Sequence, residues 1–169
     1  MQPPTPFEPE TSPVMAELAD QQTASVVAVA GHPLHAASVH FPIALAVLTL
    51  GADLVLWWDG DPFWQRAGLW AAGLGFVTGA LAGLIGLAEL LLVAGIRLRV
   101  TGWAHGVAAV MLIAGLGANW GLRMYDPDAV LPHGLLLSGL VLLLTGIAGW
   151  HGGKLVFHHG IGLKEPQED

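Results

Sequence analysis

Residues 67–94 read AGLWAAGLGFVTGALAGLIGLAELLLVA, a run with one acid, Glu89, and no Lys or Arg. About 20 mostly apolar residues are enough to cross the hydrocarbon core of a bilayer as a helix. This stretch is long enough and contains no Pro, so it predicts a transmembrane helix. Within it Gly75, Gly79 and Gly83 recur every fourth position, with Ala82 and Gly86 close by. Small residues at that spacing make one smooth face, which a second backbone or a flat ligand can approach closely.

Three more segments meet the same test. The first span is predicted over 38–58, starting as early as residue 33, the third over 103–123 and the fourth over 130–150. Trp57, Trp58, Trp64, Trp103 and Trp150 fall near span ends, as an interfacial aromatic belt requires. The connections at 59–66, 95–102 and 124–129 are too short for another domain. The expected fold is therefore all-α, a four-helix up-down transmembrane bundle over residues 31–163 surrounded by the lipid bilayer. An acidic tail follows at 164–169. Composition agrees, with 54% hydrophobic and 11% charged residues against about 25% charged in soluble chains.

Residues 1–20 hold five Pro, four acids and no basic residue, which is unlike a signal peptide. Residues 1–30 are expected to be a flexible or interfacial segment. Ser12-Pro13 reads as a cap and first helical position for a short surface helix running toward Ala30. The net charge of −7 argues against nucleic acid as a partner. With no Cys in the chain, thiolate ligands and Cys nucleophiles are excluded.

An even number of spans puts both termini on one side. That side carries Arg97, Arg99, Lys154 and Lys164, whereas the other carries Arg66 and Arg123 beside Asp59, Asp61, Asp126 and Asp128. The positive-inside bias predicts cytoplasmic termini. The same threading gathers seven of the eight His at one end. His32, His35 and His40 open the first span, His105 opens the third, and His151, His158 and His159 close the fourth. Glu89 reaches the same level. Pro42 leaves the Ser38 carbonyl without its helical donor, so a kink is expected near His40.

Imidazoles on facing helices are candidate ligands inside a bundle. His40 and His105 are the foremost pair for b-type haem, with His35, His151, Gly79 and Gly83 as further cofactor-binding candidates. His35, His40, His105 and Glu89 form the candidate set for zinc, copper or iron. At the other end Asp53, Asn119 and Arg123 are expected to form a structural polar clamp, because a lone buried charge is costly. Two readings stay open beside a redox module: a metal-handling or sensing protein, and a scaffold or accessory subunit of a larger membrane complex or homo-oligomer. No phosphate loop, HExxH zinc motif or GxSxG nucleophile elbow is present, so an enzyme is the least supported class. No internal sequence repeat of the transporter kind is visible.

The motifs Gly31-His32-Pro33-Leu34-His35 and Val39-His40-Phe41-Pro42-Ile43-Ala44-Leu45 resemble the opening signature of the bacterial membrane family DUF2231. Asp53, Gly86-Leu87-Ala88-Glu89, His105, Asn119 and Arg123 follow in that family's order, and Gly149-Trp150-His151-Gly152-Gly153-Lys154-Leu155-Val156 with Gly160-Ile161-Gly162 resembles its ending. The resemblance covers about residues 31–163. It implies a compact four-span protein of the bacterial inner membrane, and it marks His35, His40, Asp53, His105, Asn119 and Arg123 as signature positions. The family's function is unknown. Lys154 stands where the family pattern shows an acid and His151 where it is commonly apolar, which makes a Lys154–Glu89 pair an expectation for this chain.

Overall fold

The computed structural model describes residues 24–162. Among these residues six α-helices follow one another: α1 Leu34–Ser38, α2 His40–Asp59, α3 Pro62–Leu92, α4 Ala94–Arg97, α5 Val100–Tyr125 and α6 His133–Phe157. The four long apolar spans are α1 with α2, then α3, α5 and α6. The expected four-helix bundle is the fold observed.

Local chemistry sets the boundaries. Gly60 adopts φ +74° to end α2, and Asp61 caps α3 by accepting from the Phe63 amide at 2.8 Å, with Pro62 at the first helical position. α3 therefore starts several residues before the apolar run does. A 3-10 turn, Pro127–Val130, capped by Asp126, delays α6 to His133. The helix then continues through Gly152 and Gly153, past the predicted end at residue 150. The expected break near His40 is present. α1 stops at Ser38, Val39 is the joint, and α2 restarts at His40 two residues before Pro42.

The helix expected to run toward Ala30 is not seen where residues are described. Ala28–Val29 pairs antiparallel with His32–Pro33 as a minimal hairpin, because Ala30 (φ +49°) and Gly31 (φ +77°) turn the chain. The rest of that expected helix, and the tail from residue 164, lie outside the described residues.

Helix α3 packs on α2 and α5, and α6 packs on α5 and α2, so α2 and α5 are diagonal. The bundle is small inside and apolar outside, with Ala46, Ala72 and Ala82 buried while Leu48, Trp70, Leu84, Val110 and Leu143 are exposed. Lipid tails are as apolar as Leu, so helices in a bilayer associate through small residues and interior polar bonds. Gly79 and Gly83, considered for a cofactor face, serve this packing. A Cβ on Gly79 would meet Ile113 and Pro42 at 3.3 and 3.4 Å, and one on Gly83 would meet Ile113 at 2.8 Å.

Candidate functional site

Two polar centres lie inside the bundle, one toward each end. Beside the α2–α3 turn, Arg123 Nη2 lies 2.6 Å from Asp53 Oδ2 and 2.8 Å from Oδ1. Arg123 Nε donates to Asn119 Oδ1 at 2.8 Å, and Asn119 Nδ2 donates to Ser138 Oγ at 2.8 Å. Ser138 in turn donates to Asp53 Oδ2 at 2.6 Å, which closes the ring. The expected clamp of Asp53, Asn119 and Arg123 thus forms, and α6 adds Ser138. A lone Ser in an apolar helix gave no sequence signal for this. Helix α3 contributes space, since a Cβ on Gly68 would sit 2.6 Å from Arg123 Nη1, a buried donor without a partner.

At the other end the rings of His35 and His105 meet edge to face, 5.9 Å between centroids. His35 Nδ1 lies 2.9 Å from the Ala82 carbonyl on α3, and His105 Nδ1 lies 2.9 Å from the Ala148 carbonyl on α6. A carbonyl only accepts, so both Nδ1 atoms carry the proton. In the neutral form of either ring the lone pair is then at Nε2.

A residue four positions after each carbonyl makes the reach possible. Gly86 follows Ala82 and Gly152 follows Ala148; a Cβ on Gly86 would meet His35 Cε1 at 2.6 Å, and one on Gly152 would meet His105 Cε1 at 3.2 Å. The device is duplicated, and so is its frame. His35/His105 and Asp53/Arg123 are each 70 residues apart, whereas Ala82/Ala148, Gly86/Gly152 and Gly68/Gly134 are each 66 apart. The hairpin α2–α3 and the hairpin α5–α6 are therefore structural repeats about a pseudo-twofold axis along the bundle. The repeat not visible in the sequence is present in the fold.

Other candidates fall elsewhere. His40 is exposed and its Nδ1 bonds the Ala37 carbonyl of its own chain segment at 3.2 Å, because five residues of helical backbone place it about 140° around the axis from His35. The rings that meet are therefore those of His35 and His105, and the expected pairing of His40 with His105 is not formed. Glu89, 6% exposed, receives the Ser25 hydroxyl, the Val27 amide at 2.9 Å and the Val26 amide at 3.4 Å. It anchors the N-terminal segment and does not join the imidazoles. The expected Lys154–Glu89 pair is replaced by Lys154 Nζ lying over the Trp150 ring, 5.6 Å from its centroid. His151 lines a groove on the outer side of α6, and its buried Nδ1 has no partner. Accordingly, among the described residues no three His, Asp or Glu side chains converge as a metal-ligand group, so the set His35, His40, His105 and Glu89 is not assembled.

Outside the spans, His159 has its pKa lowered below the ordinary imidazole value, first by burial and then by the positive charges of Arg99, His158 and Lys154.

No curated protein and no solved structure matches the chain. A family model described as "Predicted membrane protein (DUF2231)" matches residues 31–165, over the same motifs that build both polar centres, and the chain belongs to that family.

Proposed function

We propose that this protein is a non-enzymatic metal-binding membrane module in which His35 and His105 offer their Nε2 atoms to one transition-metal ion. The observation that carries this reading is the pair of imidazoles 5.9 Å apart, each fixed through Nδ1 by a carbonyl of another helix. A backbone carbonyl on Nδ1 is the usual outer partner of a metal-ligating imidazole, because it fixes the tautomer and the ring direction. Zinc, copper and iron accept such neutral nitrogen donors. Two protein ligands leave the remaining positions to an exogenous donor, which suits metal handling or sensing.

Haem b fits these residues poorly. The space at Gly86 and Gly152 is filled by the imidazoles themselves, and Gly79 and Gly83 face Ile113 and Pro42, so none of these glycines leaves a slot for a macrocycle. The proposed setting is the bacterial inner membrane with the imidazole end, which carries Arg97, Arg99 and Lys154, facing the cytoplasm.

Detergent-purified protein equilibrated in turn with Zn(II), Cu(I) and Fe(II), then desalted and analysed for metal, is expected to retain one ion per chain in at least one case. His35→Ala and His105→Ala should each abolish retention, and His40→Ala should leave it intact. Retention of no metal, or retention in both of the first two variants, overturns the reading. For sidedness, a single Cys at Tyr125 should react with an impermeant thiol reagent from the periplasm and a single Cys at His158 should not.

A scaffold or accessory-subunit role is the second reading. It is favoured by the Asp53–Arg123–Asn119–Ser138 ring, which binds helices of this chain to one another. A stoichiometric partner that co-purifies with His35→Ala and His105→Ala alike would support it.

A further inference from the structure

Two shallow apolar grooves mark the membrane-facing side of α5 and α6. One, of about 690 Å³, runs along α6 from Gly139 past Leu143 and Gly146 to Trp150 and His151. The other, of about 500 Å³, lies between α5 and α6, from Val100 and Trp103 to Met111. Both begin at the imidazole end of the bundle, and Ile147 is a wall of each. From His151 to Gly139 the first groove is about 18 Å long at the helical rise per residue, close to the depth of one leaflet, about 15 Å.

The mouth is polar and basic. Lys154 lies one turn beyond Trp150, and its Nζ rests over the indole, which holds the ammonium at the groove entrance. The Nδ1 atom of His151 is sealed without a partner. The ring of His151 lines the groove, and an imidazole N–H can donate to a phosphate oxygen. The charge of Lys154 is also felt at His159, one turn further along. Indole rings of Trp103 and Trp150, 47% and 68% exposed, flank the two entrances.

We propose that the α5–α6 face seats one anionic diacyl phospholipid, its chains on either side of Ile147 and its phosphate held by Lys154 and His151. Two parallel grooves with a shared wall fit a two-chain lipid, and the basic mouth selects an anionic head over a zwitterionic one.

Native mass spectrometry of the purified full chain, titrated with phosphatidylglycerol or phosphatidylcholine in mixed micelles, tests the proposal. One phosphatidylglycerol per chain is expected, bound more tightly than phosphatidylcholine. Lys154→Gln should weaken it about fivefold, the effect of one basic residue at a membrane surface. Gly146→Leu should remove binding by filling the groove. Nothing lies within 4 Å of a Cβ at Gly146 or at Gly139, so Gly139→Leu supplies the same test at the far end should the first variant express poorly. Equal affinity for the two lipids, or phosphatidylglycerol binding unchanged by Lys154→Gln and either glycine variant, overturns it.

Discussion

Arg123 and Asp53 stand on diagonally opposed helices and meet at 2.6 Å, their side chains 2% and 0% exposed. The pair spans the bundle from α5 to α2, Ser138 joins it from α6, and Gly68 on α3 makes room for the guanidinium. Three spans therefore share one ring of bonds, and the fourth is shaped to admit it.

Breaking the ring from one side should be far worse than exchanging its charges. Asp53→Ala leaves a buried guanidinium unpaired, a loss of about 3–5 kcal/mol. The double exchange Asp53→Arg with Arg123→Asp reuses the twofold frame, in which Gly134 corresponds to Gly68 and Thr49 to Asn119. Thermal unfolding in detergent is expected to rank the double exchange above either single variant.

Substitutions of glycine by alanine should separate into two groups. Gly86→Ala forces a Cβ to 2.6 Å from His35 and should cost about 1–3 kcal/mol. Gly152→Ala, with its nearest contact at 3.2 Å, should be milder. At Gly139 and Gly146 the space is open, and alanine there should be neutral or stabilising by up to about 1 kcal/mol. Melting temperatures of the four variants give the order directly.

Glu89 holds residues 25–27 through one hydroxyl and two amides. Glu89→Ala should release that segment while leaving the bundle folded. Hydrogen exchange at the Val26 and Val27 amides should accelerate by at least about tenfold, the loss expected for charge-assisted bonds. Amides in the middle of α5 should not change.

His159 should titrate below 6.5, because burial and neighbouring positive charge disfavour its protonated form. With the folded pKa depressed, its contribution to stability is full above the unfolded value and is lost as pH falls through that value toward the folded one. Removing one of the named charges by Lys154→Gln should move the midpoint upward, as read by imidazole NMR.

The spans were legible because hydropathy averages over some twenty residues, and a few misplaced ends do not alter the sum. The clamp was legible too, since a carboxylate and a guanidinium in apolar helices have to find each other. Which His faces inward was not. Pro42 announces a break but not which side of the helix faces the core, and His35 and His40, about 140° apart around the axis, cannot both face it. Ser138 was missed because an uncharged hydroxyl in an apolar helix can bond its own backbone and does not demand a distant partner. The repeat was hidden because its like pairs are few and fall at two different offsets, while other paired positions carry unlike residues, Asp53 against Arg123, Thr49 against Asn119 and Ala72 against Ser138.

That unlikeness has an effect of its own. Two copies of the first hairpin, arranged as the halves are here, would press carboxylate on carboxylate, and two copies of the second would press guanidinium on guanidinium. Only the mixed combination is neutral at its centre. The opposed charges act as a polarity key, forbidding self-association of either hairpin and obliging each to close on its sibling.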